Sequence, residues 1–521
     1  MKTKLSNISG MFLIGAACLL GAGSMTSCTD GFEDANRPGN KIDNEQLNRD
    51  NFASGSFLVQ LQNQTFPEQE NAYQMNFDLI GNYLGRYLTY ANHGWNSSNF
   101  VCFNAPNGWA GYPFNDMRPK VVSAFNEIAK LTNGEGINYA WALILRAHAY
   151  QYFTDVYGAF PIGKSDDAQA YSSQKEVYEA IINDLNKAIG IIQPMVSADP
   201  DLTVNAAYDN CYQGKFAKWL KFANSLKLRV AIRMRFVEPA LAKQYGEEAV
   251  AAGVMTSNDD NLCITYTPNG LYKTCVEWGD SRACADIDTY MNGYNDPRIE
   301  KYFKPTATSA EGARKVIGCL AGAAIGNKSV ADGLYSAVNI AINAKGVWMT
   351  ASEMAFCRAE GALAGWNGMG GTAEELYNQG VRLSFDQWGA AGVDSYLADD
   401  TSIQADYVDA DGGYGKSMSH VSDITIKWDN DATAEKKLER IMTQKWIAMF
   451  PNGQEAWSEI RRTGYPKVFD VAQNIGSALK VANRVPYPNG ESINNPNNYN
   501  NALQMNGGAD NYETKMWWQK K

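Results

Sequence analysis

A mainly α fold, built of stacked helix pairs with an irregular, loop-rich stretch between them, is what this 521-residue sequence predicts. Three observations carry that reading. Apolar residues recur with helical spacing in three successive segments, the pattern lapses over residues 254–345 where Gly and Pro interrupt it, and it returns over residues 351–450. Composition agrees: 45% of residues are apolar and 20% charged, which is the make-up of a folded globular chain.

Taken in order, the chain opens with Lys2 and Lys4, then a short apolar run over residues 11–20, then small residues leading to Cys28. Residues 1–27 read as an export signal, because crossing a bilayer core of about 30 Å needs about 20 helical residues. The small-residue approach to Cys28 resembles the lipobox of bacterial lipoproteins, which implies cleavage just before the cysteine and acylation of its thiol. A diacylglyceryl cysteine supplies the two anchoring signals that stable membrane attachment requires. Residues 28–44, beginning Thr29-Asp30-Gly31-Phe32-Glu33-Asp34, form a flexible acidic tether, and one folded domain is expected over residues 45–521.

Within that domain, Tyr139, Leu143, Tyr150, Phe153 and Tyr157 share one face of a helix over residues 138–157, closed by Gly158 and Pro161. Tyr178, Ile181, Ile182, Leu185, Ile189 and Ile192 repeat the spacing in a helix from Ser173, which Pro194 is expected to stop. Phe216, Trp219, Leu220, Ala223, Leu226 and Val230 mark a third. The starts at Asn138, Gln174 and Tyr212 lie close to the roughly 34-residue period of tetratricopeptide repeats, so helix pairs of that kind are expected without the repeat's consensus. In the middle segment, Leu262-Cys263-Ile264-Thr265-Tyr266 reads as a short strand. Helices follow at residues 351–366, 373–388 and 434–450. Beyond Asn483 the chain is rich in Asn, Pro, Gly and Tyr, and Trp517 and Trp518 predict an ordered coil packed on the body.

Several function classes are excluded early. A formal net charge of −10 with no basic block argues against a nucleic-acid partner, whose phosphates are neutralised by Lys and Arg. Outside the leader no apolar run is long enough to span a bilayer, so contact with the membrane is expected through the lipid alone. Seven cysteines remain after Cys18 and Cys28; they show no CxxC, and His93, His148 and His420 form no HExxH, so neither a metal site nor a cofactor is expected. The cysteines read as small buried hydrophobes with at most one bridge, for example Cys275 to Cys284. Asp409-Ala410-Asp411-Gly412 hints at a calcium loop, yet Tyr407 and Met418 occupy its first and twelfth ligand positions. With no GxSxG, P-loop or strand-borne GxGxxG, the chain is expected not to be an enzyme.

A series of segments resembles the SusD/RagB family of nutrient-binding outer-membrane lipoproteins, in its branch with a WW-containing C-terminus. They are Leu145-Arg146-Ala147-His148-Ala149-Tyr150 with Val156-Tyr157-Gly158-Ala159-Phe160-Pro161, the stretch from Lys218 to Arg229, Ala359-Glu360-Gly361, Gln444-Lys445-Trp446-Ile447, Asn452-Gly453-Gln454-Glu455-Ala456-Trp457, Arg461-Arg462-Thr463-Gly464-Tyr465-Pro466, Arg484-Val485-Pro486-Tyr487-Pro488 and Tyr512-Glu513-Thr514-Lys515-Met516-Trp517-Trp518. The resemblance implies a SusD-like fold and a non-catalytic protein displayed on the outer face of the outer membrane. It also implies a role as lid of a SusC-like TonB-dependent β-barrel transporter, to which a captured oligosaccharide or oligopeptide is handed. A structural adhesin and a glycoside hydrolase are the competing classes.

Scaffold and ligand roles divide by residue chemistry. Lys227 and Arg229 are placed to reach acids on neighbouring helices. Arg461-Arg462 reads either as an anion clamp or as an ion pair to Glu455 or Glu459, the latter favoured. Sugar capture needs flat apolar faces beside amides or carboxylates. The Gly-flanked run from His93 to Phe100, with Trp95, Asn96 and Asn99, and its continuation through Trp109 and Tyr112 are the first candidates. In the family's starch-binding founder an early aromatic loop contributes to the glycan site, and Trp95, Asn96 and Asn99 lie in the corresponding region. Trp278, Tyr290 and Tyr294 in the irregular middle form the second candidate cluster.

Overall fold

The computed structural model describes residues 51–163, 169–306, 314–473 and 475–521; the leader, Cys28 and the tether lie outside them. The longer helices are numbered in chain order: α1 Phe52–Thr65, α2 Arg118–Leu131, α3 Gly136–Tyr157, α4 Gln174–Ala198, α5 Phe216–Met234, α6 Pro239–Ala252, α7 Ala351–Leu363, α8 Ala373–Gln387, α9 Ala434–Ala448, α10 Gly453–Thr463 and α11 Pro496–Asn506. Four short strands, β1 Leu88–Tyr90, β2 Leu262–Thr265, β3 Ser281–Ala283 and β4 Lys345–Met349, form two antiparallel ribbons, β1 with β3 and β2 with β4. The mainly α expectation holds.

Helix α3 is the axis of the first half. Its side chains from Ala140 to Leu145 and from Ala147 to Tyr157 are buried, because α1, α2, α4 and α5 pack around it. It ends where Gly158 takes a left-handed φ of 88°, and a Cβ there would stand 2.3 Å from Asn506 Oδ1. The next turn restarts at Ser173, whose hydroxyl and the Glu176 carboxylate form a capping box for α4. α3 and α4 form a pair as expected, α5 pairs with α6, a helix that the sequence reading did not mark, α7–α8 is a third pair, and α5 meets α7 to join the two halves.

The structure corrects the sequence reading in four places. Pro194 does not stop α4, which runs on to Ala198. The bond Pro194 cannot make would go to the carbonyl of Gly190, which is exposed and therefore open to a solvent donor. The middle segment contains a nine-residue helix, Ala285–Gly293, masked in the sequence because it is buried on nearly every side and carries Asp286, Asp288 and Thr289 inside. The tail is ordered as expected but not simply coil: it forms Asn489–Asn494 and α11, where Ala502 is the one buried residue and no apolar stripe exists to be read. Cys275 and Cys284 are free, as are the other five cysteines beyond Cys28.

The family-like segments, with residues close to them in the chain, form a buried charge lattice between the two halves. Arg229 grips Glu353 with two bonds of 2.7 Å, Arg233 meets Glu455, Lys445 stands 3.2 Å from Glu459, and Arg462 takes both Glu459 and Glu360. Trp518 closes the lattice, fully buried, its indole donating to Asp155 at 2.9 Å. Buried charges persist only when paired and hydrogen-bonded, so sequence distant by hundreds of residues is locked into one body.

Candidate functional site

Pairing of β1 with β3 sets Leu88 opposite Ala283 and Tyr90 opposite Ser281. The chain leaving Tyr90 therefore runs beside the chain entering Ser281, and the two candidate regions of the sequence become neighbours. Asn92 donates to Asp280 Oδ1 at 3.1 Å while its own amide oxygen caps the turn His93–Trp95 by accepting from Gly94 at 3.0 Å. Lys328 arrives from the far side to donate to the same Asp280 oxygen at 2.7 Å, and bonds the Trp278 carbonyl as well.

Trp95 and Trp109 meet edge to face, ring centroids 5.1 Å apart at 83°. Both are half-buried, and the inner face of Trp109 stacks on buried Phe100 at 6.4 Å. Trp109 sits on the short helix Asn107–Ala110, where Gly108 leaves open space beside it. On the loop between them Ser97 takes a left-handed φ of 57°, rare for a residue with a Cβ, held by the Asn104 amide on its carbonyl at 2.7 Å. The result is an aromatic corner anchored from below and open above, with exposed His93 on its rim.

The other candidates divide clearly. Asn96 spends its amide on the backbone of Ile325, donating at 2.6 Å and accepting at 2.9 Å. Asn99 is fully buried, bonded to the Trp95 carbonyl and the Cys102 amide, both at 2.9 Å. Both therefore shape the loop and offer little to a ligand. Tyr112 is half-buried beside Asp116; burial, then that carboxylate, push its phenol above the usual value. Trp278 is half-buried with Lys273 Nζ 5.6 Å from its ring. Tyr290 and Tyr294 are core residues: they are 0% and 2% exposed, with hydroxyls donating to the carbonyls of Lys467 and Ile424. Their helix is enclosed, so neither presents a face to a ligand.

Sequence reasoning missed Asn92, Asp280 and Lys328, the polar edge of the corner. No local signal marks them; they meet only when β1 pairs with β3. The anion-clamp reading of Arg461-Arg462 fails for Arg462, which is spent on Glu360 and Glu459. Asp409 serves as an internal acceptor for Tyr335, Tyr407 and Gly415.

A family model described as SusD-like, the SusD and RagB outer membrane lipoproteins, matches residues 34–519. A SusD homologue from Bacteroides uniformis shares 37% identity, with a TM-score of 0.84 over 90% of this chain and 100% of that one. A SusD homologue from Bacteroides thetaiotaomicron shares 35%, with a TM-score of 0.83 over 90% and 99%. A chitin-binding SusD homologue from Flavobacterium johnsoniae also shares 35%, with a TM-score of 0.83 over 89% and 98%. Among curated proteins no relative matches the chain. No helix among the described residues is long and apolar enough to cross a membrane.

Proposed function

The chain belongs to the SusD/RagB family of outer membrane lipoproteins, and from that premise we propose that it captures a glycan at the Trp95–Trp109 corner and passes it to a SusC-like TonB-dependent transporter. The observation that carries the reading is the corner itself: two indoles at 83°, half-open to solvent, beside the Asn92–Asp280–Lys328 polar edge. A pyranose ring stacks on an indole face while its hydroxyls reach amide, carboxylate and ammonium groups alongside. Covering about 100 Å² of such a face yields about 2.5 kcal/mol, and a few such contacts after association costs give roughly micromolar to millimolar affinity. Weak capture suits a receptor that must release its cargo.

Similarity to the chitin-binding homologue makes an N-acetylated β-glycan the first substrate to try. Acylation at Cys28 would hold the protein to the outer membrane at the cell exterior, without catalysis of its own. Calorimetric titration with chitohexaose, cellohexaose, a malto-oligosaccharide and an oligopeptide pool tests the cargo: saturable heat with a glycan supports the reading, and heat with the peptides alone replaces it. Detergent extraction tests the partnership, since a transporter lid should emerge with a β-barrel protein and an adhesin should emerge without one.

A further inference from the structure

Residues 461–468, 480–483 and 515–521 surround a pocket of about 450 Å³ where α10 ends against the closing tail. Arg461, Arg462, Lys467, Lys480, Lys515 and Lys521 line it, and no acidic residue does. In a chain of formal net charge −10 that concentration of cations requires an account.

Each cation differs in its countercharge. Arg462 turns inward to Glu360 and Glu459. Lys521 is taken by Glu435 and also caps the Thr463 carbonyl, offsetting the negative end of α10. Lys467 stands 3.5 Å from Glu439, a carboxylate already 3.3 Å from Lys436. Lys480 and Asp470, 3.1 Å apart, are both exposed, a geometry in which ion pairs contribute little. Lys515 is exposed and has no ion pair among the described residues. Arg461 is the unusual one. Although 8% exposed, it pairs with no carboxylate among the described residues. Its guanidinium lies 3.4 Å from the Trp457 ring centroid and donates to the carbonyls of Asp155 and Asn483 and to the Ser458 hydroxyl.

A buried guanidinium with no carboxylate in direct contact, its charge met only through space by Asp155 and Glu455, costs free energy in a low-dielectric surrounding, and an anion seated beside it would relieve that cost. Guanidinium and ammonium donors grip oxyanions with strong, charge-assisted hydrogen bonds. The volume falls within the roughly 300–1,000 Å³ of small-ligand pockets. We propose that this pocket is an oxyanion-binding site that takes the carboxylate or sulfate of an acidic sugar unit or a comparable small anion. It shares no lining residue with the aromatic corner and stands whether or not that corner binds glycans.

The test is titration of the purified, detergent-solubilised protein with sodium sulfate, glucuronate and glucose, with ionic strength held constant by sodium chloride. Saturable binding of glucuronate and sulfate without glucose supports the site, and sulfate alone supports it while assigning it to inorganic anions or sulfate esters. The Lys480→Gln/Lys515→Gln variant, both exposed positions, should weaken that binding at least tenfold with an unchanged melting temperature in chloride. Absence of binding beyond chloride, or equal binding by the double variant, overturns the proposal. Trp95→Ala should leave anion binding intact, which separates this outcome from failure at the corner.

Discussion

Arg462 and Glu360, separated by 102 positions in the chain, are joined by two parallel bonds of 2.7 Å in a part of the molecule that water does not reach. The same guanidinium reaches Glu459 on its own helix, and Arg235 approaches Glu360 at 3.0 Å. Burial alone would drive both carboxyls toward neutrality, yet Glu360 and Glu459 are held below the usual carboxylate range by Arg462 first among their cationic neighbours. Removal of one partner leaves charge stranded in the interior. Arg462→Met should therefore lower stability by about 3–5 kcal/mol in urea unfolding. Adding Glu360→Leu should recover part of that loss, and a strictly additive double variant would show that the two side chains do not couple.

Glu68 offers the opposite case, a buried carboxyl with no ion pair among the described residues. It is 3% exposed, accepts from Trp348 Nε1 at 3.0 Å and Asn269 at 3.2 Å, and has its pKa pushed up to about 7 by burial. A raised carboxyl pKa means that the folded state holds its proton where the unfolded chain has lost it. The stabilisation is complete below the unfolded value of 4.5 and is lost as pH climbs through about 7. Asp78 and Asp288, each raised to about 6 by burial, act in the same direction over a lower window. Stability should fall by up to the order of 3 kcal/mol per such group, over about pH 4–6 for the two aspartates and about pH 5–7 for Glu68. Glu68→Gln keeps an acceptor for Trp348 and removes the titration. Its melting temperature should change less across that window and exceed the parent's above pH 7; an unchanged slope would mean Glu68 is not the group that titrates.

At the aromatic corner, the two indoles differ in what lies beneath them. Trp109 rests on Phe100 and supports Trp95, whereas Trp95 meets Trp109 at its edge and opens to solvent. Trp95→Ala should weaken glycan binding roughly ten- to a hundredfold, the value of about 100 Å² of lost apolar contact, with a small change in melting temperature. Trp109→Ala should reduce both binding and stability. Tyr294→Ala should lower stability alone, because its ring is enclosed and its hydroxyl is bound to Ile424. Calorimetry paired with thermal unfolding distinguishes the three, and full affinity in Trp95→Ala would remove the corner from the site.

The fold was legible where apolar residues sit on one side of a helix. α4 starts at Gln174 as expected and buries Val177, Tyr178, Ile181, Ile182, Leu185, Ala188 and Ile192 on the 3.6-residue period, whereas α3 starts two residues before its expected position and α5, at Phe216, starts four after Tyr212. It was illegible where that signal is missing: the helix Ala285–Gly293 buries the polar Asp286, Asp288 and Thr289 beside its apolar residues, and α11 buries Ala502 alone. Residue type singled out Trp95 and Trp109 as exposed aromatics on Gly-rich loops, but the same reasoning chose Tyr290 and Tyr294, which have the chemistry of a platform in the surroundings of a core. Asn92, Asp280 and Lys328 could not be found at all, because nothing local distinguishes an aspartate that will receive both an amide and an ammonium across a strand pair. The cationic pocket was invisible for the same reason: its lysines and arginines come from three separate segments, and no stretch of sequence is itself basic.

In the proposed reading, attachment to the membrane rests on one atom, the thiol of Cys28, which lies outside the described residues. A single acyl chain contributes about 0.8 kcal/mol per buried methylene and holds a protein only marginally, so firm attachment needs the diacylglyceryl group and not one chain. Replacing the nucleophile removes both acyl chains together. Cys28→Ala should appear in the soluble fraction, unlipidated, with the unfolding midpoint and ligand affinity of the delipidated parent, because the substitution lies outside the candidate binding corner and removes only the proposed anchor. Fractionation of cell envelopes with mass spectrometry of the processed N-terminus measures this directly. A Cys28→Ala variant that still sediments with outer membranes would mean that the folded surface itself, through a protein partner or a second site, carries the attachment.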